Sequence, residues 1–357
     1  MKIEKIETII LEHPYLPQLL VRVTAEDGLS GLGECWWGVS PAAPEIKDLN
    51  LAPANMVDPI ASTVKNILSP ILINQDAEQI EHLWQAMIHF AYRYGDEGIV
   101  RCALSGIDMA LWDLMGKRLN VPVVQILGGV VKDTIRAYAS LPPLRDAALV
   151  RHESRRAKDS GFTGVKLHEL DPEMAGHVRE ELGPDMAVMF DVNGHFSPAE
   201  AIEIAEQLLE YDIFWFEEPT WPMRDHEAMA RVRGETGIWV AAGENEFNLD
   251  SFERLMTSGA VDYVMPEITK IGGLTTAKKI TAMAELFNLP ISPHGYRLGP
   301  ALYANVHWAL NCPCSDWIEI PFLPEGHGFP SKISLPPMKD GMIKLPEGSG
   351  LGLPEEL

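Results

Sequence analysis

The chain has 357 residues, 46% hydrophobic and 8% aromatic, enough for two domains or for one large α/β barrel with an added domain. Its 51 acidic and 29 basic side chains leave a formal charge of −22, which repels nucleic acid and anionic membranes, so neither is an expected partner. With no apolar run near the roughly 20 residues of a membrane span and no signal-peptide cleavage site, a cytoplasmic protein is expected, and Cys35, Cys102, Cys312 and Cys314, which lack CxxC spacing, read as plain thiols.

Over residues 1–130, "KIEKIETIILEH" and "LLVRVTAEDGLSGLGECWW" alternate apolar with polar residues around "EDG", the pattern of antiparallel strands joined by turns. Helical stretches are expected around 57–70, 76–94 and 99–118. The last, "IVRCALSGIDMALWDLMGKRLN", carries apolar residues at helical spacing, which makes this segment an α+β unit. From "TIRAYAS" (134–140) the texture changes to short apolar runs, "TGVKLH", "MAVMFD", "IFWFEEP", "IWVAAGE", "DYVMPE", "LPISPH" and "DWIEI", too continuous for half-exposed strands. Between them lie amphipathic stretches such as "PAEAIEIAEQLLEY" and "TTAKKITAMAELFN". Eight strands alternating with seven helices over 131–322 predict a (β/α) barrel, with a doubly wound open sheet as the alternative. After Pro321 the chain is rich in Pro and Gly, so an eighth helix is missing and 323–357 is expected to pack back on the first domain. The glycines of "GSGLGL" (348–353) have no strand before them and no helix after, and are read as a turn rather than a phosphate loop.

The apolar runs close on Lys166, Asp191, Glu217, Glu244, Glu267, His294 and Glu319, at steps of 23 to 27 residues, the length of one βα unit. Seven successive strands thus bring an ionisable group to their C-terminal ends, where barrel enzymes assemble active sites. "IFWFEEP" (213–219) shows why this matters, because a segment apolar on both faces runs directly into Glu217 and Glu218, and a buried carboxylate without a partner is costly. Asp191, Glu217 and Glu244 lie on three neighbouring strands and would repel unless a cation lay between them. All-oxygen ligation without clustered Cys or His favours Mg²⁺ before Mn²⁺ or Ca²⁺. Glu217, first after the strand, is the expected ligand, while Glu218 is expected to form a salt bridge or face solvent. Lys166 and His168, two apart on one strand, project to the same side. His294 stands opposite with Glu267 near enough to orient it, and these proton carriers beside a cation point to acid/base work.

Taken together, "ALSGIDMALWDLMGK" (103–117), the carboxylates of "DVN", "FEEP" and "GEN", then "KIGG" (270–273), "PHG" and "WIE" closely resemble the enolase superfamily in its mandelate racemase subgroup, over nearly the whole chain. The resemblance implies an α+β capping domain over a (β/α)7β barrel, Mg²⁺ on Asp191, Glu217 and Glu244, and a homo-oligomer. It also implies a first step in which a base removes the proton α to a substrate carboxylate. Residue by residue, His294 matches the subgroup's histidine, Lys166 the first lysine of the usual Lys-x-Lys, and His168 stands where the second lysine is expected. Glu267 stands where an aspartate pairs with the histidine, Glu319 matches the eighth-strand glutamate, and Asn193 lies near the metal in this pattern.

The reading favours dehydration of a sugar acid, with His168 or Lys166 taking the α-proton and His294 protonating the leaving hydroxide, or the reverse. Racemisation or epimerisation by bases on both faces is the alternative, and a barrel that only binds acids is a further one. A metal-dependent hydrolase of the same fold would want an HxH, and none occurs. Substrate contacts are expected from "EHPYLPQ" (12–18), "GECWWGVSPAAPEIK" (33–47) and "HGYRLGP", with Trp36, Trp37, His13, His195, Tyr296, Arg297 and Lys270 as candidates.

Overall fold

The computed structural model describes residues 1–13, 16–36 and 57–354. Strands β1 (Ile3–Leu11), β2 (Gln18–Ala25) and β3 (Ser30–Cys35) form an antiparallel meander. Alternate residues of β2, Leu19, Val21 and Val23, are fully buried in one core with Leu104, Ile107 and Leu111 of the helix Ile99–Leu119. That helix lies very close to β3, because a Cβ on Gly33 would stand only 2.0 Å from the Gly106 carbonyl. Only glycine permits such an approach. Helical residues 57–72, π-wound over Val64–Leu68, and the helix Ile80–Ala91 complete this capping unit.

The second unit is the expected barrel. Strands β4 (Thr134–Ser140), β5 (Gly164–Leu167), β6 (Ala187–Asp191), β7 (Trp215–Glu217), β8 (Val240–Ala242) and β9 (Tyr263–Val264) pair in parallel, and β10 (Trp317–Pro321) closes the ring on β4. Seven helices follow the staves in turn, at Ala147–Asp159, Glu173–Leu182, Pro198–Leu209, His226–Thr236, Leu249–Thr257, Gly273–Phe287 and Pro300–Asn311. One element departs from expectation. "LPISPH" forms no strand ladder, and this seventh stave is held by single bridges from Ile291 to Val264 and Ser315 and from His294 to Glu267. Pro290 and Pro293 have no N–H to donate, so continuous pairing is impossible there.

No helix follows Pro321 among the described residues. Instead β11 (Met338–Lys339) and β12 (Met342–Lys344) form a hairpin, and β12 pairs antiparallel with residues 134–136 of β4, the stretch that the short β5 leaves open. Further on, Gly350 exchanges backbone hydrogen bonds with Val121 and Val123, and Leu351 N–H donates to Asp113 Oδ1 at 2.7 Å. The tail therefore touches the barrel as well as the end of the long capping helix.

"ALSGIDMALWDLMGK" and "KIGG" meet across the two units. Asp108 accepts the Thr275 N–H at 3.0 Å and its hydroxyl at 2.6 Å, capping the helix Gly273–Phe287, while Ser105 Oγ accepts from Gly272 N–H at 2.8 Å. Gly273 has φ +76°, and a Cβ there would lie 2.3 Å from Asp108 Oδ2. The two motifs are thus an interlock that sets the capping unit over the barrel. Among the described residues no helix is long and apolar enough to cross a membrane.

Candidate active site

The barrel interior is built in layers with the period of two that strands impose. Tyr138, Met189, Trp215, Tyr263, Met265 and Trp317 fill its lower part, with Phe216 turned outward into the core beneath the helices. Two residues further along the same strands stand Ser140, Asp191, Glu217, Glu267 and Glu319, all buried. This accounts for the run 213–219, since its aromatic residues hold the barrel closed directly below the point where Glu217 enters the mouth.

Lys166 is fully buried at the centre of the acids, its Nζ 2.9 Å from Glu217, 3.0 Å from Glu319 and 3.2 Å from Asp191. Burial alone would push its ammonium down, but Glu217 and Glu319 outweigh that and hold it well above its ordinary value. His168 sets Nε2 3.2 Å from Asp191 Oδ2, while Nδ1 lies 2.5 Å from the Leu141 carbonyl. A carbonyl only accepts, so Nδ1 carries a proton, and Nε2 is left as the nitrogen that faces the Asp191 carboxylate. His294 is placed differently, with Nδ1 2.7 Å from Glu267 and Nε2 2.6 Å from Glu244. Both nitrogens face carboxylates, and Glu244 and Glu319 prevail over burial to raise its pKa well above the usual range. Glu267 is itself oriented by the N–H and hydroxyl of Thr269. Against the cost of burial, Lys166 and His294 hold Glu319 at about 2.

The acids nevertheless outnumber the cations around them. Burial and then the Asp191 charge push Glu217 well above the carboxylate range, and burial with Glu244 does the same to Glu218. Asp191 Oδ2 is buried with Lys166 Nζ and His168 Nε2 each 3.2 Å away, contacts of ion-pair range that are not aligned as hydrogen bonds. Such a set of oxygen donors on adjacent strands, Asp191 directly opposite Glu217, fits a hard divalent cation. As the side chains stand, Glu244 is turned to His294, and no group of three or more His, Cys, Asp or Glu side chains among the described residues is arranged around a metal.

Glu218 corrects an expectation, since it neither faces solvent nor forms a salt bridge among the described residues. It is 1% exposed, and both its oxygens lie within reach of the Asn245 amide at 2.9 and 3.0 Å. Asn245 was not singled out from the sequence, although it directly follows Glu244. Its Nδ2 also lies 3.0 Å from Glu244 Oε1, and its Oδ1 accepts from Lys270 Nζ at 3.0 Å. Asn245 therefore joins Glu218, Glu244 and Lys270 in one network.

From the capping unit, Trp36 reaches over the mouth. Lys270 Nζ lies 3.9 Å from its ring centroid, the Arg297 guanidinium 4.3 Å, and the His294 ring 6.2 Å. The loop bearing Arg297 is fastened to the capping sheet, where Glu34 accepts the Ala301 N–H and Gln18 donates to the Leu298 carbonyl. Tyr296 packs edge-on to His168 at 6.0 Å, and its buried hydroxyl takes no hydrogen bond among the described residues. Asn193, at φ +44°, turns its N–H to Asp191 Oδ1. His13 accepts the Leu16 N–H locally between β1 and β2, and His195 packs edge-on to Phe196. Trp37 and the rest of its loop to Lys47 lie outside the described residues, as do Pro14 and Tyr15.

Residues 148–354 match the family described as Enolase C-terminal domain-like, and residues 15–128 match the Mandelate racemase / muconate lactonizing enzyme, N-terminal domain. The chain belongs to the enolase superfamily, in its mandelate racemase subgroup. Among its relatives, arabinonate dehydratase of Saccharolobus solfataricus is 32% identical over 87% of this chain and 80% of its own. The crystal structure of the 3,6-anhydro-D-galactonate cycloisomerase from Zobellia galactanivorans superposes with a TM-score of 0.86 at 32% identity, covering 99% of this chain and 97% of that one. A racemase from Streptomyces coelicolor A3(2) with bound magnesium superposes with a TM-score of 0.82 at 28% identity, covering 98% and 96%. This member of the superfamily thus has both halves of the fold, and the site described above sits at the face where its barrel and capping unit meet.

Proposed function

We propose that the protein removes the proton α to the carboxylate of a sugar acid and then cleaves the C–O bond at the β-carbon, as an acid-sugar dehydratase. The observation that carries this reading is the contrast between the two histidines. His168, whose Nδ1–H is fixed by the neutral Leu141 carbonyl, acts as the base through Nε2, while His294, held between two carboxylates, Glu267 and Glu244, presents a proton and acts as the acid toward the leaving oxygen. Lys166, surrounded by three carboxylates, remains an ammonium and contributes charge beside the developing enediolate rather than taking the proton. Asp191, Glu217 and Glu244 would hold Mg²⁺, which supplies, when bound, the positive charge that makes so weak a carbon acid reactive. Glu319, with the Gly295 N–H fixing one of its oxygens, positions the substrate carboxylate. Trp36, Lys270, Tyr296 and Arg297 line the approach for the hydroxylated chain, with Asn193 oriented beside Asp191.

A β-oxygen that belongs to a ring rather than to a hydroxyl would leave by the same two proton transfers without loss of water. The dehydratase and cycloisomerase names of the relatives are both compatible with that one chemistry. The test is a panel of sugar acids and their anhydro or lactone forms in D₂O with Mg²⁺. Expected are α-proton exchange, formation of a 2-oxo acid, and loss of both on chelation with recovery when Mg²⁺ is returned. Inversion of one centre with no C–O cleavage would instead establish a racemase, and the absence of any exchange across the panel would leave an acid-binding barrel.

A further inference from the structure

The two cysteines that flank Pro313 are not independent thiols. Cys312 ends the helix Pro300–Asn311 and is fully buried, Cys314 is half-buried, and their sulfurs lie 3.4 Å apart. The segment between them is anchored at both ends: Cys312 N–H donates to the Trp308 carbonyl, and the Cys314 carbonyl accepts from Ile291 N–H on the seventh stave. Pro313 fixes the backbone in between, so that the sulfurs are held facing each other instead of being brought together by chance motion. The Thr281 hydroxyl lies 3.6 Å from Cys312 Sγ and is itself held by Trp308 Nε1 at 2.8 Å. The hydrogen bond from Cys314, helped by Thr281 against the cost of burial, brings the Cys312 thiol down to about 7. Cys35 and Cys102, by contrast, are buried in the capping core, and burial pushes both thiols up.

We propose that Cys312 and Cys314 form a redox-active dithiol at the base of the barrel, oxidised to a disulfide by a peroxide. When the pair ionises the thiolate rests on Cys312, which holds the Cys314 thiol up, and passage of the one proton between the sulfurs moves the charge to Cys314, the sulfur that solvent reaches. That sulfur attacks the peroxide; an S–O bond forms as O–O breaks, and the expelled hydroxide takes a proton and leaves as water. The Cys312 sulfur then attacks the sulfenic sulfur; S–S forms, S–O breaks, and a second water departs. Two thiols lose two electrons and two protons, and the peroxide becomes two waters. Closure requires the sulfurs to move from 3.4 Å to about 2.05 Å, a shift that side-chain rotation supplies. The pair belongs to the loop feeding β10, whose Glu319 lies five residues beyond Cys314, so the modification sits on the stave that carries a residue of the candidate site.

The experiment uses the full-length reduced protein with a small molar excess of hydrogen peroxide, followed by intact-mass and peptide mass spectrometry. Expected are the loss of two hydrogens, a cross-linked peptide spanning 312–314, and restoration of both thiols by dithiothreitol. In Cys312→Ser the hydrogen loss should vanish and Cys314 should gain a single oxygen that dimedone traps. An unchanged mass in the wild-type protein, or oxidation confined to Cys35 and Cys102, overturns the proposal. Because peptide mapping is read on the wild-type chain itself, a variant that fails to fold does not rescue it.

Discussion

His307 lies on the helix Pro300–Asn311 with its ring fully buried, and both nitrogens are committed: Nδ1 accepts the Val124 N–H at 3.0 Å, and Nε2–H donates to the Leu351 carbonyl at 3.1 Å. A second ring proton would face the Val124 N–H, donor against donor. Burial, offset only partly by the bond to Leu351, lowers the pKa from 6.5 to about 4. Above pH 6.5 the ring is neutral in the folded and unfolded chain alike, so it adds no pH dependence. Between 6.5 and 4 the unfolded chain binds a proton that the folded one refuses, so stability falls as pH falls, and below 4 the loss is complete. At about 1.4 kcal/mol per pH unit, the interval amounts to a loss of about 3 kcal/mol. The assay is the urea midpoint of the wild-type protein and of His307→Gln at steps from pH 7.5 to 4, together with the NMR titration of the His307 ring. Gln keeps a donor for Leu351 but has no ring to protonate, so the difference between the two curves should be constant above pH 6.5 and shrink below it. A difference that stays level throughout, or a ring that titrates near 6.5 in the folded protein, refutes the argument.

The interlock gives a second expectation: Gly273→Ala should cost about 2 kcal/mol or more from the left-handed backbone and the contact with Asp108, and an unchanged thermal midpoint would contradict it. The division of labour between the histidines predicts that His168→Asn abolishes α-proton exchange, whereas His294→Asn keeps exchange and loses C–O cleavage by roughly 100-fold or more; equal loss of both reactions in both variants would remove the assignment. Trp36→Ala takes away the aromatic face shared by Lys270 and Arg297, at about 0.5–2 kcal/mol per cation. Its KM for the best acid in the panel should rise several-fold with a smaller change in kcat, and an effect on kcat alone would argue against substrate contact.

Much of this architecture is legible in the sequence. A strand has a period of two and a βα unit a length near 25 residues, so the apolar runs from 134 to 320 and the ionisable residues ending them announced a barrel with one charged mouth. What periodicity could not convey is how the residues meet across it. Position along the strand separates Glu217, beside Lys166, from Glu218, but nothing local shows that Glu218 is buried beneath the Asn245 amide, because that partner comes from the next strand. The seventh stave reads as a strand by composition, yet its two prolines permit only bridges.

The motif 103–117 was legible as a signature but not as an interlock, since Asp108 and Thr275 are 167 residues apart and only folding brings them together. The order and spacing of residues by themselves determined that seven staves carry ionisable groups to one end, because alternation and repeat length are local properties of the chain. Only the tertiary structure decided which nitrogen of His168 holds its proton, that both nitrogens of His294 face carboxylates, and that Trp36 closes over them. Protonation and contact depend on partners from other strands, and the separations that fix them are set by the closure of the barrel.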